Sequence, residues 1–215
     1  MARQPATKPR KAASQERSRA TVAALVEATA RILVSDGFDK ASTNRIAEVA
    51  GVSVGSLYQY FPSKEALVVA VIERHNRQIM EVVGHVLDEI DSLSLEHAVH
   101  SLVAMAIDAH RIDPKLHYVL SEQIPRTGPL EDVDSALRQA RAAFRAYLES
   151  RSDELSVADV GLAAFVCATT IEAVAHNAVL HHDELSSDEA AKALAGETTR
   201  LILGYLQPVP AGGSA

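Results

Sequence analysis

Between Ser42 and Lys64 the chain gathers hydroxyls on Thr43, Ser53 and Ser56, and phenols on Tyr58 and Tyr60. Amides on Asn44 and Gln59 and the ammonium of Lys64 complete the set. These groups donate and accept hydrogen bonds. The amide of Gln59 can address the edge of adenine, Val54 can rest on a thymine methyl, and an ammonium can meet a phosphate. Gly55 allows close approach to a groove wall. This is the chemistry of recognition rather than turnover.

A second set of groups lies further along, since all nine histidines follow residue 74. His97 and His100 stand at i, i+3 spacing, and Glu172 and His176 at i, i+4 on a largely apolar stretch. A metal site needs three or four converging ligands, and convergence is not visible in spacing; no metal or cofactor is expected. Ionisable groups on an apolar helix pair with each other, pair across a dimer, or face a pocket. Spacing leaves the three open. No nucleophile elbow, phosphate-cradling glycine loop or metal-spaced motif occurs, so an enzyme is not expected.

Short helices must position the first set. Ile46, Ala47 and Ala50 give one helix an apolar face, and Gly51 supplies a turn residue free to take positive φ. Ser53 can cap a second helix whose inward residues would be Val54, Leu57 and Phe61, with Val54 equally able to face a groove. Tyr58 and Tyr60 are expected to point away from the Leu57 side. Pro62 ends that helix, and Ser63 caps the next with Glu65 in its first turn. Such a helix pair places its second member in the major groove of DNA, with Thr43 and Asn44 at a phosphate-facing helix start.

The run Gly-Val-Ser-Val-Gly-Ser-Leu-Tyr-Gln-Tyr-Phe-Pro-Ser-Lys-Glu-Ala-Leu, residues 51–67, closely resembles the TetR family of one-component transcriptional regulators. The resemblance reaches upstream through a first helix over about residues 17–37 to Phe38, covering the first third of the chain. It implies a repressor released from a palindromic operator by a small-molecule effector. It also implies that Tyr58 and Tyr60 approach the DNA backbone or base edges, and that Lys64 binds phosphate. The effector would lie among the fourth to eighth helices, apolar or amphipathic to suit a mostly apolar cavity. Candidate liners are Met105, His110, His117, Tyr118, Phe144, Phe165, Glu172 and His176. A helical DNA-binding or adaptor protein without an effector is the alternative.

The charge balance agrees. The net charge is −7, yet residues 1–64 hold ten Lys and Arg against five Asp and Glu, and residues 65–215 hold eleven against twenty-three. A cationic head for phosphates on an acidic body fits this split. With 47% hydrophobic and 23% charged residues the chain suits a globular core, and the single Cys167 excludes an internal disulfide and suits the cytoplasm. No stretch is expected to cross a bilayer, and the basic N-terminal segment lacks the apolar region of a secretory signal.

The expected fold is all-α with about nine helices: a three-helix helix-turn-helix head over residues 16–64 and a helical effector-binding and dimerisation body over 65–207. Flexible tails are expected at 1–15, which is basic, and at 208–215. The fourth helix should run from Ser63 to about residue 90, and the fifth from Ser94 towards residue 112. The sixth should lie between Pro114 and Pro125. The seventh should start at Leu130 and carry a basic row, Arg138, Arg141 and Arg145, on a solvated or carboxylate-paired face. The eighth, about residues 157–182, is apolar almost all round, and the ninth should begin at a capping box of Ser186 and Glu189. A helix apolar on every side needs covering on every side, and the family resemblance implies a homodimer through helices eight and nine.

Overall fold

The computed structural model describes residues 16–125, 135–181 and 187–207, and every regular element among them is helical. The order is α1 (Glu16–Asp36), α2 (Thr43–Val49), α3 (Val54–Tyr60), α4 (Lys64–Glu89), α5 (Leu95–Arg111), α6 (Pro114–Tyr118), α7 (Ser135–Ser150), α8 (Val160–His181) and α9 (Asp188–Leu206). A π turn, Val119–Gln123, continues α6. Residues 1–15 and 208–215, expected as tails, and Leu130, expected at the start of α7, lie outside the described residues.

Two compact units form among the described residues, one from 16–77 and 115–125, the other from 78–114, 135–181 and 187–207. In the first, the α1 stripe Leu25, Val26, Ile32 and Leu33 closes over Ile46, Leu57 and Phe61. Thr29, buried in that stripe, donates its hydroxyl to the Leu25 carbonyl at 2.7 Å, so its polarity is met within the helix. Gly37 ends α1 at φ 82, a left-handed conformation that a Cβ would strain. The packing division falls at Arg77 rather than residue 64, because Val68, Val71 and Ile72 of α4 belong to the head core. Leu116, Val119, Leu120 and Ile124 join that core from far along the chain.

In the second unit α5 packs on α8 and α9, and α7 packs on α8. Leu95, Val99, Leu102, Ile107, Phe144, Leu148, Ile171, Ile202 and Leu206 fill its core. Cys167 is fully buried there, and burial pushes its thiol up to about 11, so it behaves as a small apolar group. The α9 cap is Ser187, whose hydroxyl accepts from the Ala190 N–H at 3.2 Å. The capping residue is thus one later than the expected Ser186, which lies outside the described residues. Contrary to expectation, α8 is long and apolar enough, by length and composition, to cross a bilayer. Here Ala163, Cys167, Ile171, Ala175 and Val179 instead pack one of its faces into the core.

That packing leaves an apolar face uncovered. Leu162 and Phe165 of α8 are 57% and 59% exposed, and Leu201 and Tyr205 of α9 are 60% and 43% exposed.

Candidate nucleic-acid interface and body cavity

Local cap and turn chemistry builds the helix pair of the head. The Ser42 side chain accepts from the Arg45 N–H at 3.3 Å to start α2, and Gly51, at φ 68, turns the chain after it. Ser53 Oγ accepts from the Ser56 N–H at 3.1 Å and lies 2.9 Å from Ser56 Oγ, starting α3. Ile46, Ala47 and Leu57 face inward and are sealed. Asn44, Ser53, Gly55, Tyr58 and Gln59 are exposed, and Thr43 and Ser56 are half-buried beside them. Thr43 Oγ1 and the Tyr58 hydroxyl are 3.1 Å apart, so a hydrogen bond ties the start of α2 to the outward face of α3.

Two expected residues sit differently. Tyr60 does not point away from Leu57; it is 8% exposed and packs into the head core. Residues three apart share a helix face, so Tyr60 follows Leu57 inward while Tyr58 turns out. Val54 is half-buried and packs against the same core. Lys64 is half-buried, with its ammonium donating to the Phe38 carbonyl at 3.0 Å and lying 4.0 Å from the Phe38 ring centroid. It therefore pins α4 to the loop after α1, an attachment its sequence position did not reveal. An ammonium has three donors, so this bond leaves donors for a phosphate.

A cavity of about 60 Å³ lies among α5, α7 and α8, walled by apolar side chains that include Leu102, Met105, Phe144 and Ile171. Met105, Phe144 and Glu172, all expected liners, meet there. His110 stands behind Glu172, its Nε2 3.5 Å from the carboxylate, while its Nδ1–H donates to the Ala106 carbonyl at 2.8 Å. Burial alone would lower the His110 pKa; the Glu172 carboxylate and the Ala106 carbonyl outweigh it, and the net shift is upward. His176 packs edge-on to that ring, centroids 5.8 Å apart.

The other three expected liners do not line this cavity. Phe165 is on the exposed face of α8, two turns before Glu172. His117 and Tyr118 belong to the head unit, where His117 Nδ1 lies 3.1 Å from His75 Nε2. Conversely, Arg141, expected on a solvated or carboxylate-paired row, lines the cavity. The available signal was its place three residues before Phe144 and seven before Leu148, on the edge of the apolar stripe.

A capped helix pair with a polar outward face, in a unit with its own core, defines a helix-turn-helix DNA-binding protein. Residues 25–71 match the family model described as bacterial regulatory proteins, tetR family, and residues 94–206 match the Tetracyclin repressor-like, C-terminal domain. The chain belongs to the TetR family and is a DNA-binding transcriptional regulator. Among curated relatives, the nucleoid occlusion factor SlmA of Haemophilus ducreyi is 32% identical over 85 residues, 40% of this chain and 41% of that protein. The match thus spans less than half of that relative's length. The structure of FadR from Bacillus subtilis in complex with stearoyl-CoA is similar at TM-score 0.66 and 18% identity, covering 85% of this chain and 97% of that one. SmeT, the repressor of the Stenotrophomonas maltophilia multidrug efflux pump SmeDEF, is similar at TM-score 0.62 and 20% identity, covering 90% and 96%. At these identities the two structures establish the shared fold.

Proposed function

We propose that the protein is a cytoplasmic repressor that binds a near-palindromic operator as a homodimer and is released by an apolar or amphipathic small molecule. The observation that carries the DNA-reading part is the α2–α3 pair, sealed on Ile46 and Leu57 and exposing Asn44, Tyr58 and Gln59. Thr43, Asn44, Tyr58 and Lys64 hold the phosphate backbone, and Ser53, Gly55, Ser56 and Gln59 meet base edges. Tyr60 and Val54 support this surface from beneath.

The exposed apolar residues of α8 and α9 form the dimer contact, where two copies bury a face that neither buries alone. Ligand in the α5/α7/α8 cavity shifts the population away from the operator-binding state. SmeT, named as a repressor, and FadR, solved with stearoyl-CoA, have the same fold and support this reading by analogy.

Selection of bound duplexes from a random pool at physiological salt tests it. An enriched near-palindrome with half-sites about 34–36 Å apart supports the dimeric operator reader. Binding that shows no sequence preference and disappears at modest salt overturns it, and favours a DNA-binding or adaptor role without an effector.

A further inference from the structure

We propose that the cavity among α5, α7 and α8 takes a small amphipathic carboxylate, its apolar part between Leu102, Met105, Phe144 and Ile171 and its carboxylate on the Arg141 guanidinium. The proposal rests on reading this cavity as the effector site and adds the class of effector. Two charged side chains line the otherwise apolar walls, Arg141 from α7 and Glu172 from α8. Glu172 has a histidine beside it inside the protein. Its carboxylate faces Nε2 of the nearly fully buried His110, whose Nδ1–H is committed to the Ala106 carbonyl.

Arg141 has no such partner. Its Nε is buried without a hydrogen-bond acceptor, and no carboxylate among the described residues forms an ion pair with it. A guanidinium is a planar cation with its N–H donors in a fixed fork. The cavity therefore offers one carboxylate that faces a histidine and one positive charge with no ion-pair partner among the described residues, beside apolar walls. A carboxylate, planar and able to accept two parallel N–H bonds, is the complementary group. A neutral acceptor such as an amide carbonyl could meet the donor but not the charge, and a cationic ligand would meet neither. At about 60 Å³, the space exceeds the roughly 10–15 Å³ that one water occupies on this measure by only a few-fold. It suits a single ring or short alkyl chain, not a long acyl chain.

Calorimetric titration of the full-length protein with benzoate and hexanoate, against benzamide and hexanamide, tests the class. At least one acid should bind about tenfold or more tightly than its amide, the margin of a charge-assisted hydrogen bond over a neutral one. Arg141→Met should erase that margin, and Arg141→Lys should keep part of it, both variants retaining the helical circular dichroism of the wild type. Acids and amides binding alike, no acid binding, or a margin that survives Arg141→Met would each overturn the proposal. Operator affinity is measured separately with the acid present. Carboxylate binding through Arg141 that leaves operator affinity unchanged upholds the ligand class and refutes the effector reading.

Discussion

Phe165→Ala is a direct test of how two copies of this chain meet. The ring is 59% exposed in the protomer and stands on α8 with Leu162, 57% exposed. A covered phenylalanine buries roughly 150–250 Å². Covering the exposed share would remove about 90–150 Å² per ring, worth about 2–4 kcal/mol at about 25 cal/mol per Å². Two-fold symmetry counts the ring twice, so the dimer stands to lose about 4–8 kcal/mol if coverage is complete. Because alanine keeps its Cβ and coverage at an interface is partial, the expected loss in dimer affinity is at least about a hundredfold. The isolated protomer should barely notice, since surface substitutions usually cost within about 0.5 kcal/mol. Sedimentation equilibrium over a concentration series reads the dissociation constant, and circular dichroism at dilution confirms that the monomer is folded. A change in dimer affinity below about fivefold would refute the assignment of this face.

Three further outcomes are expected. Lys64→Ala should weaken binding to all duplexes alike and lower the salt slope by about one phosphate, measured by fluorescence anisotropy at several salt concentrations. It should also lower the melting temperature, because the bond to the Phe38 carbonyl is lost; unchanged DNA affinity and salt slope would remove Lys64 from the phosphate contacts. Gln59→Ala should alter preference at particular base pairs by about 1–3 kcal/mol, read from a library of single-base operator variants; preserved preferences would make Gln59 a bystander. Glu27, bonded to Arg74 at 2.9 Å, has its pKa lowered chiefly by that hydrogen bond. Its stabilisation is present in full above the ordinary carboxylate pKa and disappears as pH falls through the depressed value. The stability advantage of wild type over Glu27→Gln, under about 1 kcal/mol at this solvated site, should therefore shrink on acidification below the usual carboxylate range. Chemical denaturation across that range checks the sign.

The head was legible in the sequence because its instructions are local. Gly51, Ser53 and Ser63 act on backbone groups within about four residues, so these caps and this turn follow from residue type and spacing. The inward set Ile46, Ala47 and Leu57 follows from helical period in the same way. Tyr60 was misplaced although the same period, counted from Leu57, puts it inside. The α8 sequence displayed its apolar length but not its partition into a buried face and an exposed one, because that depends on which helices lie against it.

Only the tertiary structure brought Arg141, Phe144 and Glu172 to one cavity, paired Glu172 with His110, and carried Leu116 and Leu120 into the head core. Those neighbours stand tens of residues apart, and no local periodicity encodes a contact between distant segments. By itself the sequence determined a DNA-reading helix pair with its caps, its turn and its cationic setting. Packing decided what the body can hold, because a cavity exists only where distant helices close around it and leave one charge without a partner.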